Sequence, residues 1–161
     1  MLVLGVDPGL SSTGWALLRS CGSVSLVDHG VINTHKDNDL NQKLYSIFSA
    51  VDSLLKSYSI VEAAIENVFV NSNAKASMLL CYARSASLIA LMANDVAIFE
   101  YAPTTIKKRV FGNGKASKEQ IQFMVHASLG LCSSISFNLH TSDAISAALC
   151  HIFSRKMQKF V

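Results

Sequence analysis

Charged side chains make up only 16% of the 161 residues while half are hydrophobic, so the chain lacks the high charge and low hydropathy of extended disorder. It has no repeat, no low-complexity tract and no linker-like stretch, and its length fits one domain over residues 1–161. Long apolar runs are missing as well. The stretch at 86–93 is interrupted by Ser87 and falls well short of the roughly 20 apolar residues that span a bilayer. No membrane is therefore expected as a partner. The N-terminus has no basic region and runs almost at once into Asp7-Pro8-Gly9, which reads as a first strand and not a secretory signal; a cytoplasmic location is the expectation. The cysteines at 21, 81, 132 and 150 have no close-paired spacing. That pattern excludes a zinc ribbon and offers no disulfide framework, so the thiols are read as reduced and mostly packed.

Acidic residues are scarce where basic ones gather. Residues 1–66 hold four basic and seven acidic side chains, a sum of −3, whereas residues 67–161 hold ten basic and four acidic, a sum of +6. The asymmetry points to an acidic partner for the second half.

Hydrophobic periodicity predicts the order β β β α β α β α α α. Residues 2–6, 13–18 and 24–32 read as strands joined by short turns, an antiparallel meander. Leu44, Ile47, Val51, Leu54 and Leu55 fall on one face of a helix capped near Asn38 or Asp39. A strand at 61–65 ending at Glu66, a helix at 75–92 that is apolar on most sides, and a strand at 96–99 imply parallel pairing through crossovers. Pro103 starts a short helix, Ser117 and Gln120 resemble a capping box opening the next, and a last helix from Thr141 or Ser142 buries Ile145, Ala148, Leu149 and Ile152.

Three acids stand at element ends: Asp7 after the first strand, Glu66 after the fourth, and Asp143 in the first turn of the final helix. Acids placed directly after apolar strands are costly unless they have a task, and holding a hard cation is one. Magnesium takes oxygen ligands and bridges carboxylates to phosphate; adjacent parallel strands would bring Asp7 and Glu66 together. Each acid also has an ordinary reading. Asp7 before Pro-Gly suits a turn, Glu66 could pair with a lysine, and Asp143 could complement a helix dipole. His140, three residues before Asp143, shares a helical face with it if the turn already forms there, and can ligate a metal, shuttle a proton, or simply cap the helix. The other histidines offer no comparable partner.

Lys107, Lys108, Arg109, Lys115 and Lys118 surround a Gly-Asn-Gly turn with no acid among them, either a solvated face or a phosphate-binding surface. The turn is not a P-loop, because Gly114-Lys115 is followed by Ala116. Phe69 lies just after Glu66, where it could stack on an unpaired base or pack inward.

These segments together resemble the RuvC family of crossover junction endodeoxyribonucleases, or Holliday junction resolvases. The resemblance is carried by Leu4-Gly-Val-Asp-Pro-Gly with Thr13-Gly14 behind it, Ala64-Ile-Glu-Asn-Val-Phe69, Tyr82-Ala-Arg84, Phe99-Glu-Tyr-Ala-Pro, residues 107–118 and Ser142-Asp-Ala-Ile. It implies an α/β, ribonuclease-H-like fold with a mixed five-stranded sheet flanked by helices. It also implies Asp7, Glu66 and Asp143 as metal-binding catalytic carboxylates, with two Mg2+ ions per site for which Mn2+ can substitute. The expected enzyme is a homodimer that nicks opposing strands of four-way junction DNA, working with the branch-migration proteins RuvA and RuvB. The apolar helix after Lys75 is expected at the dimer interface. Arg84, Lys107, Lys115 and Lys118 become DNA contacts and Phe69 the stacking aromatic. His140 stands where some members carry a fourth carboxylate, and is expected to act as a metal ligand or proton-transfer group, with activity falling as it protonates. Two other classes remain in view: an actin-like phosphotransferase fragment, because residues 7–14 resemble a phosphate loop, and a junction-binding protein without catalysis.

Overall fold

The computed structural model describes residues 1–68, 73–112, 118–130 and 137–158, without the side chains of Lys118, Glu119, Gln122 and Gln158. The elements follow the expected order: β1 (Leu2–Asp7), β2 (Ser12–Cys21), β3 (Ser23–Asn33), α1 (Leu40–Ser57), β4 (Glu62–Glu66), α2 (Ala74–Ala93), β5 (Ala97–Tyr101), α3 (Pro103–Phe111), α4 (Lys118–Leu129) and α5 (Leu139–Gln158). The five strands form one sheet in the order β3-β2-β1-β4-β5. β1, β2 and β3 pair antiparallel, and β1, β4 and β5 pair parallel, so the sheet is mixed as expected.

Side-chain alternation along the strands divides the core into two layers. Leu4, Val6, Ala63 and Ile65 face Val51 and Leu55 of α1 and Ala90 and Leu91 of α2. Val3, Ala16, Leu18 and Ala64 face Ile106, Val125, Ile145 and Leu149 on the helices of the other side. Asp7 and Glu66 continue the second parity, so both carboxylates lie on the α5 side of the sheet. The strand pairing places them together: Val6 is in register with Ile65 across the parallel β1–β4 ladder, and each acid is the next residue.

Local signals account for most element ends. Asp39 caps α1 in a capping box with Gln42, and Pro103 occupies the start of α3, which ends at Gly112 in the left-handed region, φ 71°. The capping box at Ser117 lies outside the described residues. One helix starts earlier than expected. The carbonyl of Asn138 accepts from the Ser142 N–H at 2.9 Å and its side chain accepts from the His140 N–H at 2.9 Å, so Asn138 is the cap and His140 already belongs to the first turn.

Two further expectations need correction. Cys21 and Cys81 are exposed, and of the described cysteines only Cys150 is buried; the outer parts of β2 and α2 do not pack their thiols. The helix α2, at 20 residues and mean hydropathy 1.5, is long and apolar enough by composition to cross a membrane, which the interrupted apolar runs had not suggested. In the fold it packs against α1 and β5. Its mid-helix Arg84 pairs with Glu100 of β5 at 2.7 Å, an ion pair that would be costly to carry into lipid.

Candidate active site

Backbone proximity, set by two glycines, builds the site. A Cβ at Gly5 would stand 1.9 Å from the Ala144 carbonyl oxygen, and one at Gly14 would stand 2.1 Å from that of His140. Only residues without a side chain allow the first two turns of α5 to rest directly on β1 and β2. Gly14 is the strand partner of Asp7, so the contact sets His140 beside that carboxylate. The turn after β1 is held from behind: the buried Thr13 hydroxyl donates to the Gly9 carbonyl at 2.8 Å and accepts from the Gly9 N–H at 3.3 Å. This gives the Asp-Pro-Gly and Thr-Gly segments a joint structural role.

His140 Nδ1 lies 2.8 Å from Asp7 Oδ2, and the imidazole remains partly exposed. Burial raises the Asp7 carboxyl to about 6; the His140 hydrogen bond opposes the shift and the charge of Asp143 adds to it. Burial likewise raises Glu66 to about 7, assisted by the charges of Asp7 and Asp143 and opposed by Lys107. Three acids thus share one electrostatic neighbourhood, with a lysine as the nearby counter-charge. Among the described residues no three of His, Cys, Asp and Glu are drawn closely enough to enclose an ion as they stand. The donors nevertheless fit a hard divalent cation: carboxylate oxygens with one imidazole, crowded so that ionisation is opposed until positive charge arrives.

Lys107, on α3, lines a cavity with Glu66 and Asp143, which puts one of the expected DNA contacts beside the carboxylates. Arg84 is largely buried and pairs with Glu100. Lys118 is the first residue of α4, while Phe69 and Lys115 lie outside the described residues.

The histidines were not all as isolated as the sequence suggested. His151, buried in α5, sits with Nδ1 2.7 Å from the Tyr101 hydroxyl and Nε2 2.8 Å from Glu62 Oε2, and Arg155 pairs with the same Glu62. Burial pushes the imidazole pKa down. Residues 62, 101, 151 and 155 carry no short-range spacing that would reveal this network. Ser142, in the sequence a possible helix start and the first residue of the Ser-Asp-Ala-Ile segment, also lines the cavity beside Asp143.

A mixed sheet with three antiparallel and two further parallel strands, flanked by helices and carrying acids at the ends of β1 and β4 and the start of α5, defines the ribonuclease-H-like class of folds. Residues 3–151 match the family described as crossover junction endodeoxyribonuclease RuvC. The chain is 60% identical to the crossover junction endodeoxyribonuclease RuvC of Anaplasma phagocytophilum, over 96% of each chain. Its structure is similar to Thermus thermophilus RuvC, with TM-score 0.89 and 26% identity over 98% of this chain and 97% of that one. The T. thermophilus RuvC structure in complex with Holliday junction substrate gives TM-score 0.90 at 27% identity, covering 98% and 96%. The chain belongs to the RuvC family of crossover junction endodeoxyribonucleases, and a divalent-metal requirement follows from that membership.

Proposed function

We propose that this chain, acting as one nuclease domain in the cytoplasm, resolves Holliday junctions as a homodimer by symmetric, Mg2+-dependent nicking of opposing strands. The observation that carries the reading is the convergence of Asp7, Glu66, Asp143 and His140 where two adjacent parallel strands meet the first turn of α5. A pair of divalent ions bound there would supply an activated water and charge to stabilise the leaving oxygen. Asp7, Glu66 and Asp143 would hold them; His140 would release Asp7 and either join as a ligand or take a proton. Lys107 neutralises phosphate charge at the rim, and Lys115, Lys118 and Arg84 act on the DNA backbone, Arg84 only after giving up Glu100. Phe69 stacks on a base at the opened junction. RuvA and RuvB are the partners that family membership suggests.

The dimer is supported by one face of α2. Met78, Tyr82, Ile89 and Met92 are all exposed and recur at 4, 7 and 3 residues along the helix, a stripe of the kind that a second helix covers. Membership of an endonuclease family across residues 3–151 removes the ground for the actin-like phosphotransferase, and the convergent acids weigh against a binding module without catalysis.

A synthetic four-way junction and a matched linear duplex, each incubated with Mg2+, Mn2+ or chelator, test the reading. Paired nicks confined to the junction and dependent on metal are expected. Junction binding without nicking under either metal would favour the catalytically idle module.

A further inference from the structure

Direct backbone contact at Gly5 and Gly14 seats α5 on β1 and β2, which holds His140 against Asp7. Towards β4 the seat is different. At the site end a cavity is lined by Glu66, Asp143 and Ser146, so close packing does not set the separation of those two acids. Two turns further along α5, His151 supplies a link to both parallel strands on that flank. The imidazole is 1% exposed, with Nε2 2.8 Å from Glu62 Oε2 and Nδ1 2.7 Å from the Tyr101 hydroxyl. The Phe99 ring lies over it, centroids 4.2 Å apart. One assignment of protons serves both polar partners: a neutral ring donates from Nε2 to the carboxylate and accepts the tyrosine O–H at Nδ1. Burial favours that neutral form, and Arg155 supplies Glu62 with a counter-charge.

Both partners of His151 lead back to Glu66. Glu62 is the first residue of β4 and Glu66 the last, and alternation puts the two on the same face of the sheet. Tyr101 is the strand partner of Glu66, and its carbonyl accepts from the Asn67 N–H at 2.8 Å. Glu62 to Glu66 spans about 13 Å along the strand, and His151 back to Asp143 spans about 12 Å along the helix. The two arms are nearly equal, so the link at one end faces the pair of acids at the other. A tilt of α5 by about 5° at the linked end would move Asp143 by about 1 Å, and displacements of that size cost on the order of 10²-fold in rate at a reacting centre. We infer that His151, held by Glu62 and Tyr101, sets the spacing between Asp143 of α5 and Glu66 of β4, and with it the fit of the site to its divalent cations. His151 is thus a positioning residue, acting through the frame and not on the substrate. The inference rests on the resolvase reading for the task of the two acids.

The test compares the full-length parent with His151→Leu, which keeps the bulk and loses both hydrogen bonds, and Tyr101→Phe, which deletes one hydroxyl. Val51→Ala, which removes buried volume from the opposite core layer, is the control for general loosening. Mn2+ binding without DNA is measured by titration calorimetry, junction affinity in chelator, and single-turnover nicking at saturating metal. His151→Leu should weaken Mn2+ binding and slow nicking by at least about tenfold each, and Tyr101→Phe by at least about threefold. Junction affinity should stay within about twofold in both, and Val51→Ala should lower Tm while leaving Mn2+ affinity and nicking near parental. If His151→Leu does not fold, Tyr101→Phe decides. Parental Mn2+ affinity and nicking in the folded variants would overturn the inference, as would equal losses in Val51→Ala. A parent that binds Mn2+ but nicks no junction would instead overturn the resolvase reading, and the positioning role would then be judged by Mn2+ affinity alone.

Discussion

Asp7 and Glu66 sit where burial opposes ionisation, with carboxyl pKa values raised from 3.8 to about 6 and from 4.5 to about 7. Between about pH 4 and 7 the folded protein without metal therefore binds more protons than the unfolded chain, and its stability falls as pH rises through that window. Asp7→Asn removes one of the opposed charges and should raise the stability of the metal-free protein at pH 8 by on the order of 2 kcal/mol, read as an increase in Tm that disappears near pH 4. An unchanged Tm at pH 8 would show that the carboxylate is not strained. Because a cation must displace those protons, Mg2+ should raise the parent Tm more at pH 8 than at pH 6, and nicking should climb across the same interval. Asp7 and Glu66 were legible in the sequence since each follows an apolar run. The Asp7–His140 contact was not, because 133 positions separate the two residues and only the folded chain brings them together. The His151 network was invisible for the same reason.

The relation between α5 and the first two strands sets the site's geometry at the level of elements. Gly14→Ala places a methyl against the His140 carbonyl, and Gly5→Ala one against that of Ala144; neither neighbour is a flexible side-chain tip. Each substitution should lower stability by about 1–3 kcal/mol. Gly14→Ala should also lower nicking by at least about tenfold at temperatures where the protein stays folded, since α5 is lifted at the residue that touches Asp7. Denaturant unfolding together with nicking rates separates the two effects, and parental nicking in a folded Gly14→Ala protein would contradict this role. The periodic stripes of α1 and α5 were readable because one buried face repeats every three to four residues. The start of α5 was placed at Thr141 or Ser142, for both resemble caps, although Asn138 is the residue that bonds the first turn. A glycine's task in holding two backbones close is not encoded in local pattern, which is why Gly5 and Gly14 could be noted in motifs without their packing role.

Across the whole molecule, the sheet separates the side that carries the candidate site, built on α5, from the side covered by α1 and α2. The exposed stripe of α2 belongs to the latter, so two copies joined there would leave both sites free for DNA. Ile89→Glu with Met92→Glu should weaken self-association by at least about tenfold in sedimentation velocity, giving monomers that retain the parental far-UV spectrum and lose paired nicking. A double variant that stays dimeric would place the interface elsewhere. The α/β class and the order of elements along the chain could be read in advance because strand, helix and turn signals agreed, and the ribonuclease-H-like sheet was open through the resemblance. Assembly was open to resemblance only, since an apolar helix reads alike whether it faces a core, a lipid or a second subunit.

Single-turnover nicking of one four-way junction by the parent, Asp7→Asn, Glu66→Gln and Asp143→Asn, with junction affinity measured in parallel, bears most directly on the convergent site. Each carboxamide should reduce the rate by at least about 10²-fold while affinity stays within about threefold of the parent. Any of the three nicking at close to the parental rate would remove that residue from the catalytic set, and near-parental rates in all three would contradict the nuclease site itself.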